Sequence, residues 1–427
     1  MIKAVSGVSL SYNPNASKIN ITSDTSSKNF KQHSSLMTPS AIYAKADIAF
    51  KNISFKGWQP EHGNRAKIYS AVRLIKSHDI KRIALMAHKN PDADAVSSMT
   101  AMAGLIEAAT GKKVDMFIGR KLYAEGDFLG NSDHFKVVDF RTSTVKEVEE
   151  QYGQYDLAIA LDTAESPLLE NTLRDGIFNK AKHTIKIDHH PLPFKPTRDE
   201  NRRYNYAGLN IVDSSMSSDS QFLMQFVKPF GLHPEGLSKA VFRAFATGLV
   251  SDTNALLFAK GNSAFDDMSL LYNNVNYEEI VDKTKNMSLA DFEEEKKWMN
   301  KVKFSEDGKK AYIVVDKAVD APISSIVKAD ILSKIINISG VECVFCITGN
   351  SSELNTNVSE AVNPDTHEFA TVASVRSKTV NLNNLISRYN ATVSDDKKLY
   401  GGGHNKARSV RSDLSIAEVE DILVNKL

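Results

Sequence analysis

The chain has 427 residues with 53 Lys and Arg against 52 Asp and Glu. Its formal net charge of +1 excludes binding to polymeric nucleic acid or a membrane surface by bulk electrostatics. A hydrophobic share of 42% with 25% charged residues belongs to a chain that folds into globular domains, two or three at this length. Two cysteines exclude a disulfide framework. No apolar run is long enough to cross a bilayer, and Met1 to Pro14 lacks the basic-then-apolar pattern of a secretory signal, so a cytoplasmic protein is expected.

Residues 1–56 are rich in Ser, Asn, Thr and Lys without helical or strand period and read as a flexible extension that activity does not need. From Trp58 the texture changes. Arg65 to Ser77 predicts a helix, with Ile68, Val72 and Ile75 at helical spacing. Ile83 to Ala87 is a short strand-like run ending at His88, and Val96 to Thr110 predicts a helix that stops near Gly111. Val114 to Ile118 reads as a strand. Leu157 to Leu161 ends in Asp162, and Ile185 to Ile187 ends in Asp188-His189-His190. Helices follow at Ser218 to Val227 and Leu237 to Leu249. Strands alternating with helices predict an α/β domain built on a mostly parallel sheet with flanking helices, over residues 57–287.

Ser288 to Lys303 predicts a charged amphipathic connector, with Leu289, Phe292 and Met299 on one side. A smaller α/β domain is expected over 304–427. Its strands are Ala311 to Val315, Val341 to Ile347 and Phe369 to Arg376, with a helix over Val327 to Ile336 and a closing loop Gly401-Gly402-Gly403-His404. Cys343 and Cys346 lie three apart in a strand, which sends them to opposite faces, so they read as core residues rather than a zinc or redox pair. His33, His62, His78, His134, His183, His233 and His367 have no acidic neighbours in a motif and read as structural.

The segment His88-Lys89-Asn90-Pro91-Asp92-Ala93-Asp94 places an imidazole and two carboxylates directly after a strand. Such donors suit Mn, Fe, Zn or Mg, although Asp before a helix is also an ordinary cap. Asp162 ends a second strand. Asp188-His189-His190 ends a third, where adjacent histidines point apart and Asp188 can orient an imidazole. Asp252 follows in Ser251-Asp252-Thr253. Three strands thus end in metal-competent residues, where open α/β sheets place their sites.

These four segments, in this order, resemble the DHH phosphoesterase superfamily. The resemblance covers Ile83 to Phe258 and resumes at Thr371 to Ser377 and Gly401 to His404, as in the DHH-associated domain. The combination is similar to the bacterial branch of short-oligoribonucleases and 3′-phosphoadenosine-5′-phosphate phosphatases. It implies two divalent metal ions, with Mn²⁺ expected: one on His88, Asp92 and Asp162, the other on Asp94, Asp162, His189 and Asp252. It further implies that His190 meets the scissile phosphate. Arg376 with Gly401, Gly402, Gly403 and His404 would hold a phosphate or nucleotide across an interdomain cleft. The activity implied is hydrolysis of short RNA oligonucleotides or of 3′-phosphoadenosine 5′-phosphate. A cyclic or linear dinucleotide phosphodiesterase, a manganese inorganic pyrophosphatase and a non-catalytic nucleotide-binding regulator are the alternatives. The partners expected are a short oligonucleotide or nucleotide and a second copy in a homodimer, with no membrane. Ala93, Ser97 and Asn254 stand where the family often has glycine, and Arg408 where it has a small residue. Arg408 would add a phosphate contact or face solvent. Lys397, Lys398, Lys406, Arg408 and Arg411 would form a basic rim around the glycine loop.

Overall fold

The computed structural model describes residues 63–119, 128–129, 135–138, 142–192, 198–285, 287–349, 369–404 and 406–427. The expected extension over 1–56 and the histidines at 33, 62, 134 and 367 lie outside the described residues.

Helix α1 (Arg65–Lys76) buries Ile68, Ala71, Val72 and Ile75, the face its spacing predicts. Strand β1 (Ile83–Met86) is buried throughout. Helix α2 (Ala93–Thr110) starts earlier than the apolar pattern indicates, because Asp92 caps it by accepting from the amide of Ala95. Gly111, at φ 70°, ends it. Strands β2 (Val114–Ile118) and β3 (Phe135–Val137) follow, then α3 (Val145–Tyr152), begun by a Thr144–Glu147 capping box. Next come β4 (Leu157–Leu161), β5 (His183–Asp188), α4 (Arg198–Tyr204) and β6 (Leu209–Val212).

The six strands form one all-parallel sheet in the order β3-β2-β1-β4-β5-β6. The chain runs outward from β1 to β3 and then resumes on the other side of β1 with β4. The switch point therefore lies between the carboxyl ends of β1 and β4, the place such sheets open a crevice. Side chains alternate across the sheet. Ile83, Leu85, Leu157, Ile159 and Leu161 enter one core, and Ala84, Met86, Ala158 and Ala160 enter the other. The first core is covered by α1, α2, α5 (Asp219–Leu223), α6 (Lys239–Asp252) and α7 (Ser263–Tyr272). The second is covered by α3 and the segment Arg174–Phe178.

After α8 (Tyr277–Lys285) comes the connector helix α9 (Leu289–Met299), whose apolar side is not the side it buries. Leu289 is 77% exposed and Phe292 and Met299 are exposed, whereas Trp298 and Glu295 are buried. The reason lies in what the helix packs on. Trp298 joins the core under α10 (Ser325–Ile336), and Glu295 pairs with Lys334 of that helix at 2.7 Å.

The second sheet has the order β11-β12-β10-β9-β8-β7. It comprises β7 (Lys303–Phe304), β8 (Lys310–Asp316), β9 (Cys343–Gly349), β10 (Thr371–Ser377), β11 (Gly403–His404) and β12 (Ala407–Ser412). Among the described residues only β8 and β9 pair in parallel here, with α10 as their crossover. Helices α11 (Leu382–Asn390) and α12 (Ile416–Asp421) cover one face. Cys343 and Cys346 are free and buried in the two different cores flanking this sheet, as their spacing predicts. Among the described residues no helix is long and apolar enough to cross a membrane.

Candidate metal centre

The carboxyl ends of β1, β4 and β5 present His88, Asp162 and the Asp188–His190 run to one point. His88 is fixed by a backbone bridge to Leu169. Its Nε2 lies 3.8 Å from Asp92 Oδ2 and 3.7 Å from Asp162 Oδ2. Asp92 serves two ends at once: Oδ1 caps α2 at 3.0 Å from the Ala95 amide, while Oδ2 faces His88. The cap therefore does not use the oxygen that faces His88.

Asp94 is not in a loop but in the first turn of α2, fully buried. Its carboxylate accepts from the amides of Asp219 at 2.7 Å and Ser220 at 3.1 Å. Helix α6 passes so close that a Cβ on Gly248 would stand 2.2 Å from Asp94 Oδ1, so only glycine fits there.

Asp162 has φ 48°, a left-handed conformation that side chains other than Gly, Asn and Asp rarely adopt. Its amide is shared between Ile187 O and Asp219 Oδ2, both at 3.1 Å, which holds the turn. His189 Nε2 lies 3.2 Å from Asp252 Oδ2, 3.4 Å from Asp162 Oδ1 and 3.8 Å from Asp94 Oδ2. Asp252 is the last residue of α6. Beyond it Asn254, Ala255 and Leu256 run left-handed at φ 50°, 57° and 71°, three strained non-glycine residues beside the centre. His190 Nδ1 is 2.8 Å from Asp188 Oδ1 and 3.5 Å from Asp162 Oδ1.

Three sets of donor atoms each lie within 4.8 Å of one another: His88 with Asp92 and Asp162, Asp94 with His189 and Asp252, and Asp162 with both His189 and His190. Asp162 joins the first set to the third. Its Oδ1 is buried and accepts no hydrogen bond among the described residues, which is costly unless a cation meets it. The electrostatics agree. Burial, and then the neighbouring Asp94, Asp92 and Asp252, push the Asp162 carboxyl well above its usual range. Asp252 is pushed up by burial and by Asp94 and Asp92. Burial raises Asp94 to about 6 despite its bond to Ser220. Burial also opposes ionisation of Asp92, but the bond and charge of His88 hold it at about 2. Packed carboxylates that repel one another, interleaved with imidazoles, fit hard divalent cations.

Asp188 behaves oppositely. Burial works to raise it, but Lys186, His190 and His189 hold it well below the usual carboxylate range.

From the second sheet, Arg376 on β10 reaches toward the same centre. Burial lowers its guanidinium from the usual value, and the charge of Asp252 works against that shift. The glycine loop is a hairpin in which Gly403 and His404 pair with Arg408 and Ala407. A Cβ on Gly401, at φ 119°, would meet Ser409 O at 2.2 Å, and one on Gly402 would stand 3.2 Å from Glu165 Oε1. Both glycines thus have local packing reasons. Glu165 itself is held by Tyr204 Oη at 2.9 Å and Arg203 at 2.5 Å. The side chain of His404 lies outside the described residues. Arg408 does not face solvent. It is buried and donates to Gly401 O at 2.7 Å and Asn383 Oδ1 at 2.8 Å, tying the glycine loop to α11.

Sequence reasoning passed over Asp219, Ser220, Gly248, Lys186 and the two lysines around Asp252. Those lysines are Lys285, whose Nζ is 3.3 Å from Ser251 O, and Lys260, whose charge Asp252 feels. The run Ser217-Ser218-Asp219-Ser220 before a helix was a visible cap signal. Nothing in the sequence marked its proximity to Asp94, 125 residues earlier.

Residues 82–249 match the DHH family, N-terminal domain. No curated protein matches the chain. Among solved structures, an exopolyphosphatase-related protein from Bacteroides fragilis is similar at 16% identity and a TM-score of 0.64, over 84% of this chain and 96% of that one. The shared fold therefore spans both sheets. The exonuclease RecJ bound to manganese is more distant, at 16% identity and a TM-score of 0.41 over 83% of this chain and 91% of that one. RecJ from Thermus thermophilus in complex with Mg²⁺ gives 14% and 0.40, over 88% and 54%.

Proposed function

We propose that this protein is a DHH-type phosphoesterase that uses two divalent metal ions, Mn²⁺ foremost, to hydrolyse short RNA oligonucleotides or 3′-phosphoadenosine 5′-phosphate. The observation that carries this is the meeting of His88, Asp92, Asp94, Asp162, His189 and Asp252 at the switch point of a parallel sheet, with Asp162 among the donors of two sets. His88, Asp92 and Asp162 would hold one cation. Asp94, His189 and Asp252 would hold the other, with Asp162 between them. Two such cations supply a lowered pKa for water and neutralise charge gathering on a phosphate.

The chain's own groups do the rest. His190, held through Nδ1 by Asp188, turns its other ring nitrogen to the scissile phosphate. Arg376 faces Asp252 and offers a two-pronged donor for a second phosphate of the substrate. The hairpin Gly401–His404 forms the wall of the site on that side. The near-neutral net charge offers no long basic track, which favours a short substrate over a polymer.

The test is a panel assayed with Mn²⁺: labelled di- to decanucleotides, linear and cyclic dinucleotides, 3′-phosphoadenosine 5′-phosphate, pyrophosphate and polyphosphate. Rates highest on di- to tetranucleotides or on the bisphosphorylated adenosine, and lost in excess chelator, support the reading. Turnover that persists after chelation and dialysis overturns the metal assignment. Preference for pyrophosphate or polyphosphate overturns the nucleotide assignment.

A further inference from the structure

Lys186 sits on β5 between Ile185 and Ile187, in a strand whose carboxyl end delivers Asp188, His189 and His190. Its side chain is 0% exposed. Lysine is almost never fully buried without a partner, and a buried ammonium persists only where its donors are used. Here Nζ donates to Ala164 O at 2.5 Å and to Tyr204 O at 3.1 Å, and lies 3.3 Å from Asp188 Oδ2. The ring of Tyr206 lies 5.5 Å from it, within cation–π range.

Two of these contacts lead to the site. Ala164 is two residues past Asp162, so the ammonium holds the far end of the turn that carries that aspartate. Asp188 is pulled from one side by Lys186 and bonds His190 Nδ1 from the other at 2.8 Å. An ionised carboxylate only accepts, so the shared proton belongs to Nδ1. Stability does not account for the lysine. Exchanging a buried ion pair for well-packed apolar side chains is commonly neutral or stabilising, and the partner of Lys186 on β4, Ala160, is apolar already.

We propose that Lys186 is a positioning residue, a buried ammonium that fixes Asp188 and through it the ring of His190. This rests on the reading of His190 as the group that meets the scissile phosphate. Because Lys186 acts through Asp188, the two should behave as one unit and their losses should not multiply.

The experiment uses the full chain and three variants: Lys186→Met, Asp188→Asn and the double variant, which leaves neither charge buried alone. With Mn²⁺ and an activated phosphodiester, Lys186→Met should lower kcat on the order of a hundredfold, with KM changed by less than about threefold and bound metal unchanged. The double variant should match Asp188→Asn within about twofold. If Lys186→Met alone does not fold, the double variant, which buries no lone charge, should fold, and its equality with Asp188→Asn carries the same result; a double variant that does not fold would make the lysine a structural residue and overturn the proposal. A second readout needs neither metal nor turnover. In the metal-free protein, NMR should show an exchange-protected Nδ1 proton on His190, identified by its loss in His190→Gln and lost also in Lys186→Met. Multiplying losses, near wild-type kcat in Lys186→Met, or a Nδ1 proton that stays protected without Lys186 would overturn the proposal. A wild-type protein that shows the protected proton but hydrolyses no phosphoester would instead overturn the reading of the site.

Discussion

The two ends of the proposed substrate path are built by different means. On the parallel sheet, the donors stand on a backbone that is tied down: two amides of α5 hold the Asp94 carboxylate, the Asp162 amide is shared in a left-handed turn, and the backbone of His88 bridges to Leu169. On the mixed sheet, Arg376 projects from β10 with a weak bond to its own neighbour's carbonyl, and the glycine hairpin is shaped by steric need against Ser409 and Glu165. The first region is preorganised for charge that is always the same. The second presents one long side chain beside a bare backbone, a surface that can accommodate varied ligands. Substitutions in the first should therefore alter rate and metal content, and substitutions in the second should alter substrate preference.

The largest effect belongs to Asp162. Asp162→Asn keeps a residue that tolerates the left-handed backbone but removes the shared carboxylate. Turnover should fall at least about a thousandfold, since losing a single preorganised electrostatic contact already costs about 10²–10³. Bound Mn²⁺ measured on the dialysed protein should drop from two ions to one or fewer. A variant with two ions and normal rates would show that Asp162 is not shared.

The second effect is on stability in the absence of metal. Asp94 titrates near 6 in the folded protein against 3.8 as a free side chain, with burial as the main cause. Below 3.8 both states are protonated and the group contributes nothing. As pH rises from there to about 6, the unfolded chain ionises first and the folded state loses about 3 kcal/mol, at about 1.4 kcal/mol per unit. Asp162 and Asp252 shift in the same direction. Asp188 runs the other way, but its contribution is already complete above the ordinary carboxylate range. The metal-free protein should therefore melt several degrees lower at pH 7.5 than at pH 5, and Mn²⁺ should abolish the difference. A melting temperature flat across this range without metal would mean that the carboxylates do not repel as the geometry requires.

Much of this first region was legible because parallel strands advertise themselves. Leu157–Leu161 and Ile185–Ile187 are continuous apolar runs, and a polar residue at the end of each stands out. What was not legible depends on contacts distant in sequence. Gly248 reads as an ordinary helix interior position, and only the approach of α6 to Asp94 gives it a role. Lys186 reads as an interruption of an apolar strand. Periodicity puts Leu289, Phe292 and Met299 on one side of α9, but Trp298 and the Glu295–Lys334 pair decide that this side faces outward. For the glycine hairpin, sequence suggested close approach to an anion, while the structure shows that Gly401 and Gly402 also meet protein atoms. Arg408 does not face solvent, because it is buried with its guanidinium on Gly401 O and Asn383 Oδ1.

Gly248→Ala sharpens the claim that the first region is rigid. The added methyl would fall 2.2 Å from Asp94 Oδ1 and 2.1 Å from Ser220 Oγ. Either the carboxylate or α5 must move, with a stability cost of about 1–3 kcal/mol. A displacement of this size at a catalytic group should lower kcat by about a hundredfold. Full activity would show that Asp94 has room to shift and that the centre is more pliable than its amide bonds suggest. Thermal melts separate the two consequences, since lost rate in a still-folded variant points to the ligand rather than the core.

Arg376→Ala tests the other region and carries the smallest effect. The guanidinium lies in the field of Asp252 but bonds no donor of the metal sets, so its removal should leave Mn²⁺ binding intact. A short nucleotide substrate with a phosphate beyond the scissile one would lose a two-pronged, charge-assisted contact. KM should rise roughly tenfold, equivalent to about 1.4 kcal/mol, with kcat nearly constant. An activated phosphodiester with no second phosphate makes no such contact, so its KM should change by less than about twofold. Measuring both substrates in one variant separates the possibilities. A rise confined to the nucleotide supports a grip on a second phosphate. Equal loss on both, or loss of bound metal, would mean that Arg376 acts by balancing the charge of Asp252, and the division between a rate-setting region and a substrate-choosing region would fail at this residue.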